Sequence, residues 1–77
     1  MKIKCYDIAT GSIAYRLRAS NYKDLIASLY GDLEEYENIK NNPDIIKHFQ
    51  RIWFDLNQYE VCDDRHNSLG LIFINCS

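Results

Sequence analysis

The sequence predicts an α+β fold, a two-layer sandwich in which two helices pack on one face of a small, mostly antiparallel sheet. Three patterns predict it: apolar and polar residues alternate over residues 12–19, two segments have a helical apolar period, and a nearly continuous apolar run follows near the C-terminus. With 77 residues, the chain is expected to form a single α+β domain over 1–77. The predicted order is ββααβ, or ββααββ if residues 60–62 form a fourth strand.

The N-terminal part of the chain predicts a β-hairpin. The period of two over residues 12–19 places four apolar side chains on one face of a strand, namely Ile13, Tyr15, Leu17 and Ala19. Residues 2–8 supply a partner strand, and Gly11 in the connection tolerates a positive φ. One face of this hairpin is expected to be in contact with solvent.

The next segment predicts an amphipathic helix that runs to about Glu37. Asn21 is a suitable N-cap residue. Gly31 costs about 1 kcal/mol relative to alanine inside a helix, so a break there is an alternative, with Asp32 and Glu35 capping a second short helix. The apolar arc of the helix consists of Tyr22, Leu25, Ile26, Leu29, Tyr30, Leu33 and Tyr36.

A second helix and a buried strand complete the fold. Asn42 followed by Pro43 is the favoured arrangement of an N-cap and a first helical residue. The apolar period continues from there and predicts a helix that ends near Tyr59. Residues 62–67 are expected to form a loop, and residues 69–74 a strand that is buried on both sides or lies in mid-sheet.

The net charge is only −2, but the charges are segregated. Residues 1–23 carry five cations and one acid, giving +4, whereas residues 24–37 carry five acids and no cation, giving −5. Three cysteines without an N-terminal apolar signal region favour reduced thiols and a cytoplasmic protein. No apolar run approaches the ~20 residues of a membrane span, so no membrane association is expected.

The highest concentration of charge lies between Tyr30 and Glu37, where four of the eight residues are carboxylates and two are tyrosines. One interpretation is a solvated helix face that keeps the protein soluble. The other is a docking surface for the basic patch of a partner protein, in which Tyr30, Tyr36 and Phe54 provide apolar anchoring. The predicted partner-binding residues are Asp24, Tyr30, Gly31, Asp32, Glu34, Glu35, Tyr36, Glu37 and Phe54.

Other candidate sites are weaker. Cys62 and His66 lack the spacing of a zinc site and form only a poor nucleophile–base pair, so no metal, no cofactor and no catalytic residue is predicted. Cations on the outer face of the hairpin form a candidate phosphate-binding stripe, but a pI near 5.5 opposes nucleic-acid binding. These cations are Lys2, Lys4, Arg16 and Arg18.

Taken together, these features predict a small, non-enzymatic protein-binding module. The expected mechanism is inhibition, in which the acidic helix blocks a basic, nucleic-acid-binding surface of a partner protein. Asparagine, isoleucine, lysine and tyrosine are abundant, which is typical of proteins from AT-rich genomes. Together with the small size, this suggests, by analogy alone, an anti-defence protein of a phage or mobile element, similar in type to anti-CRISPR proteins. The alternatives are a nucleic-acid-binding regulator and an antitoxin or immunity protein. An exposed edge strand would also allow a homodimer.

Overall fold

The computed structural model describes all 77 residues and contains one four-stranded antiparallel sheet and three helices. The strand order in the sheet is β2-β1-β4-β3. The predicted α+β class is confirmed, and the fourth strand is present. The elements are β1 Lys2–Asp7, β2 Ile13–Arg18, α1 Tyr22–Tyr30, α2 Tyr36–Lys40, α3 Pro43–Leu56, β3 Gln58–Cys62 and β4 Ser68–Asn75.

The helices cover one face of the sheet, and the other face has no helical cover. Side chains alternate between the two faces along each strand. The covered face contributes Ile3, Cys5 and Phe73 to the core, together with Tyr59 and Val61 from β3. The positions between them, beginning with Lys2 and Lys4 of β1, therefore point away from the helices.

The edge strand β2 departs from the predicted alternation. Its register with β1 shifts between Cys5 and Tyr6, so that Tyr15 pairs with Cys5 but Ile13 pairs with Tyr6. Directly paired residues share a sheet face, and Ile13 thus lies on the uncovered face, 41% exposed. The prediction that Ile13 shares the core face with Tyr15 is wrong because of this bulge, which re-aims a side chain.

The first helix is shorter than the one predicted to reach Glu37. The helix α1 ends at Tyr30 and α2 begins at Tyr36, which confirms the alternative of a break at Gly31. Asn21 caps α1 as expected, accepting a hydrogen bond of 2.9 Å from the backbone N–H of Asp24. Glu35 occupies the N-cap position of α2, but its side chain makes no capping hydrogen bond.

The helix α3 begins as predicted, with the Asn42 side chain accepting hydrogen bonds from the first-turn N–H groups and proline at the first position. It ends at Leu56 because Asn57 adopts the left-handed conformation, with φ of 54°. The prediction that the helix extends to about Tyr59 is therefore wrong. It is buried from β3 instead.

The apolar C-terminal run forms β4 in the middle of the sheet, between β1 and β3. Only Phe73 is fully buried in it. The alternative of burial on both sides is wrong and the mid-sheet alternative is confirmed, because Ile72 and Ile74 lie on the face without helices and remain half-buried.

Candidate functional site

The predicted acidic surface lies mainly on the turn between α1 and α2. We call residues 32–37 the acidic segment. Asp32 and Glu34 are exposed, and neither has an ion-pair partner within the chain. Glu37 is also exposed but lies 2.9 Å from the Lys40 ammonium, an ion pair that raises the pKa of Lys40. Glu35 is half-buried. The segment thus presents two unpaired carboxylates to solvent.

Asp24 and Gly31 extend this surface along α1 only in part. Asp24 is exposed in the first turn of α1. Gly31 terminates the helix, and its N–H donates a hydrogen bond of 2.7 Å to the Ala27 carbonyl oxygen. A Cβ at position 31 would collide with that oxygen. The helix end itself therefore requires glycine. The presence of Gly31 does not need a contact with a partner to explain it.

Tyr30 is wrong as a partner-binding anchor, because its side chain has no exposed surface. Its hydroxyl group donates a hydrogen bond of 3.1 Å to the Tyr59 hydroxyl and lies 3.8 Å from the Cys62 sulfur. Desolvation by burial is the main cause that raises the pKa of Tyr30. The arc of α1 points this ring through the core to β3, a contact that the sequence did not reveal.

Tyr36 is only partly accessible to a partner. Its ring is half-buried and packs against the core, and the Lys40 ammonium lies 5.3 Å from its centroid. A cation at this distance is attracted by the ring electrons. Tyr36 therefore links α2 to the core and leaves limited area for an intermolecular contact.

Phe54 is the most exposed large apolar side chain, with 76% of its surface accessible. Leu56, also on α3, is 58% exposed. No other part of the fold covers Phe54, so it is not a core residue. Aromatic residues, phenylalanine included, are enriched at protein interfaces, which makes Phe54 a candidate for contact with another molecule.

The second charged surface is on the uncovered side of the sheet, and the structure assembles it more tightly than the sequence indicated. We call Lys2, Lys4, Arg16 and Arg18 the basic sheet face. Lys2 lies directly opposite Arg18, and Lys4 directly opposite Arg16, in the register of β1 and β2. None of the four cations forms an ion pair within the chain. The four line a shallow depression of about 620 Å³.

Apolar side chains adjoin the basic sheet face, and sequence analysis did not identify them. Tyr6 pairs with Ile72, and Lys4 pairs with Ile74, so all of these residues share the uncovered face. Tyr6, Ile72 and Ile74 are half-buried and lie outside the core cluster. The signal was available in the alternation of β1, where Lys2, Lys4 and Tyr6 fall on one face.

The region around Cys62 does not assemble a nucleophile–base pair. The Cys62 sulfur lies 3.0 Å from the Tyr59 hydroxyl and is almost fully buried. The His66 ring stands edge-on to His48 with centroids 5.5 Å apart. Burial, the Arg51 guanidinium and His66 together lower the pKa of His48. These contacts fit a structural role for the thiol and the two rings.

The loop that carries His66 is ordered by Asp63. The Asp63 carboxylate accepts hydrogen bonds of 2.9 Å from the backbone N–H groups of Arg65 and Asn67. The bond from Asn67 is the main cause that lowers the pKa of Asp63. These hydrogen bonds within the loop explain the position of the Asp63 carboxylate. No group of three or more histidine, cysteine or acidic side chains in the chain has the geometry to hold a metal ion.

Comparisons with protein-family models, with curated proteins and with solved structures gave no match for this chain. In addition, none of the three helices combines the length and the apolar character required to cross a lipid bilayer. The functional assignment therefore depends on the chemistry of the two charged surfaces and the exposed ring of Phe54.

Proposed function

We propose that this chain is a small protein-binding module that acts inside the cell as an inhibitor, by covering a basic, nucleic-acid-binding surface of a partner protein. The observation that supports the proposal is the pair of exposed carboxylates in the acidic segment, Asp32 and Glu34, which no cation of the chain neutralises. Unpaired exposed charges remain available to the cations of another molecule.

Electrostatics would guide such a partner to the acidic segment. Charges of one sign on one part of a surface raise the rate of encounter with an oppositely charged patch. Asp24 on α1 lies outside the segment but adds to the same negative charge. Lysine and arginine side chains that otherwise hold nucleic-acid phosphates are the complementary groups, so occupation of them would prevent nucleic-acid binding.

Apolar contacts would supply the affinity that exposed charges do not. Rim charges change association rates more than they change affinity, whereas a few aromatic anchors carry most binding energy. Phe54 is the strongest candidate anchor because most of its surface is accessible. Tyr36, which is half-buried, is a smaller candidate anchor. Tyr30 no longer belongs to the proposed contact surface.

The proposed function does not involve catalysis. The buried Cys62 thiol contacts the Tyr59 hydroxyl in place of a histidine base, which supports a structural role for it. Among inhibitors of this size, we favour an anti-defence protein of a phage or mobile element. An antitoxin or immunity protein would use the same steric mechanism and differs only in the identity of the partner.

Reversal of charge in the acidic segment tests the proposal. Asp32→Lys, Glu34→Lys and the double variant are compared with wild type in affinity capture from the native cell extract, followed by identification of the captured proteins and titration of each. We expect capture of a basic nucleic-acid-binding protein, progressive loss of affinity in the variants, and competition between the chain and the nucleic acid. Glu35 is unsuitable because it is half-buried at the start of α2.

Asp64→Lys is the matched control, because Asp64 is an exposed acid in the loop between β3 and β4. It changes the net charge by the same amount as Glu34→Lys but leaves the acidic segment intact. Equal loss of affinity in both variants would mean that net charge alone governs capture. Unchanged capture by the double variant would reject the acidic segment as the contact surface.

A further inference from the structure

We propose that the basic sheet face binds single-stranded nucleic acid, an interaction separate from the protein contact proposed above. Four unpaired cations line one depression on the uncovered side of the sheet, and an aromatic side chain and two isoleucines adjoin them. A cationic track beside stacking and apolar groups is the surface that proteins use for unpaired nucleic acids.

Like charges face each other across the hairpin that carries the basic sheet face. Cations directly opposite each other on neighbouring strands repel and destabilise a sheet. This hairpin contains two such pairs in succession, Lys2 with Arg18 and Lys4 with Arg16. The chain's ion pair, between Lys40 and Glu37, is in the helical layer and does not relieve this repulsion. An anion bound between the strands would contact both members of a pair at once.

The four cations form two parallel rows along the neighbouring strands. Residues two apart on a strand are separated by about 6.8 Å, so Lys2 and Lys4 form one row of cations and Arg18 and Arg16 a parallel one. Consecutive phosphates of an extended single strand have a comparable separation. The four side chains line a depression of about 620 Å³. A chain of phosphates can therefore lie along it, with each phosphate near one cationic pair.

An aromatic side chain next to the cations is available to a nucleic-acid base. Tyr6 follows Lys4 on the same face of β1 and is only half-buried. Beside it on β4 are Ile72 and Ile74, which pair with Tyr6 and Lys4. Stacking on an aromatic ring requires an unstacked base, which a single strand provides and a duplex does not. This combination favours a single strand over an acidic peptide, which would use the cations but has no planar base to stack on Tyr6.

The acidic net charge does not oppose binding at this surface. The carboxylates of the acidic segment belong to the helical layer, on the other side of the sheet from the four cations. Glu60 is the acid of β3 that shares the uncovered side, since it pairs with Ile72, and its side chain accepts a hydrogen bond of 3.0 Å from Ser68. Local potential, rather than total charge, determines where a polyanion associates.

Binding of fluorescent oligothymidine to the full chain, followed by anisotropy, tests the inference. Two neutralised phosphates, one for each cationic pair, give a slope of log K against log[salt] of about −1.4 for a single strand, so affinity should fall about sevenfold between about 50 mM and 200 mM salt. A duplex of equal length should bind more weakly. Absence of binding at the lower salt, or equal binding of the duplex, would overturn the inference.

Lys4→Glu separates binding from folding. The new carboxylate would lie directly opposite Arg16 and replace a repulsive pair with an attractive one. We expect a thermal midpoint at least equal to that of wild type, together with about a tenfold loss of affinity for oligothymidine. Lys47→Glu, at an exposed site on α3, is the matched control and should retain wild-type affinity. Equal affinities of the two variants would contradict the assignment.

Tyr6→Leu tests the stacking contribution. Leucine keeps the side chain apolar but removes the ring, and we expect affinity for oligothymidine to fall by about fivefold or more. Polyglutamate is the comparison ligand, because it carries negative charge without bases. If polyglutamate bound as tightly as oligothymidine, and Tyr6→Leu affected neither, the surface would bind acidic polypeptides instead.

The two proposals fail independently. Asp32→Lys and Glu34→Lys act on the acidic segment, and oligothymidine binding should be retained in both. Lys4→Glu should leave protein capture unchanged. Capture of a partner without binding of oligothymidine would support the proposed function and contradict this inference. Binding of oligothymidine without capture of a partner would support this inference and contradict the proposed function.

Discussion

The hydroxyl groups of Tyr30 and Tyr59 lie 3.1 Å apart inside the protein and join α1 to β3. The Tyr59 hydroxyl also lies 3.0 Å from the Cys62 sulfur, whereas the Tyr30 hydroxyl is 3.8 Å from it. Tyr59 therefore occupies the centre of a small buried polar network, and Tyr30 occupies its edge. All buried polar side-chain atoms of the chain have a hydrogen-bond partner.

This asymmetry predicts different costs for two similar substitutions. Tyr30→Phe removes the peripheral hydroxyl and leaves Tyr59 bonded to Cys62, so we expect a loss of about 1 kcal/mol in the free energy of unfolding. Tyr59→Phe leaves both other groups without a close partner and should cost more, up to about 3 kcal/mol. Urea denaturation monitored by circular dichroism measures both. An equal or larger cost for Tyr30→Phe would contradict the central position of Tyr59.

The same network predicts loss of stability at alkaline pH. Burial raises the pKa of both Tyr30 and Tyr59 above the ordinary value near 10. The unfolded chain then releases protons that the folded chain retains. The contribution to stability is therefore complete below about pH 10 and is lost as pH rises above it, by up to about 1.4 kcal/mol per pH unit for each group.

Denaturation at a series of pH values measures this slope, and tyrosinate absorbance in the near ultraviolet reports the ionisation directly. The double variant Tyr30→Phe/Tyr59→Phe should show a shallower decline than wild type. Cys5 contributes in the same direction, since burial raises the pKa of its thiol as well. An unchanged slope in the double variant would assign the alkaline sensitivity to other groups.

Gly31→Ala is expected to destabilise the protein, contrary to the usual gain from alanine at a helical glycine. The added Cβ would collide with the carbonyl oxygen of Ala27, which already accepts the Gly31 N–H. Displacement of the helix end should cost about 1–3 kcal/mol in unfolding free energy. Ser28→Ala, at an exposed position of α1, is the control and should change stability by less than about 0.5 kcal/mol. A stabilising Gly31→Ala would show that the turn relaxes freely.

Local signals predicted most elements of the fold. Asn21 and Asn42 cap helices as expected because capping depends on a few neighbouring residues. The predicted end of α3 is wrong, because Tyr59 continues the helical apolar period of the sequence but lies buried in β3. Periodicity cannot distinguish these alternatives. The left-handed conformation of Asn57 ends the helix, and asparagine adopts that conformation only in some contexts.

The candidate sites were harder to predict, since they depend on which elements meet. The exposure of Asp32, Glu34 and Glu37 follows from their local pattern. The burial of Tyr30 depends on β3, which lies far away in the sequence. The opposition of Lys4 and Arg16 required the register of the hairpin. A bulge in the same strand altered that register elsewhere, and no residue type marks its position.

The exposed position of Phe54 predicts that its removal affects binding and not folding. Phe54 and Phe49 belong to the same helix, but Phe49 is fully buried and Phe54 is 76% exposed. Phe49→Ala should cost about 3–5 kcal/mol in unfolding free energy. Phe54→Ala should change it by less than about 0.5 kcal/mol, because the ring gains little from its few contacts.

Thermal and urea denaturation of the two variants give the stability comparison, and the capture assay gives the binding comparison. We expect Phe54→Ala to weaken partner capture at wild-type stability, since an exposed aromatic anchor contributes only in the complex. A stability loss that approaches that of Phe49→Ala would place Phe54 in the core. Wild-type capture by a stable Phe54→Ala protein would remove this residue from the contact surface and leave the acidic segment as its only tested component.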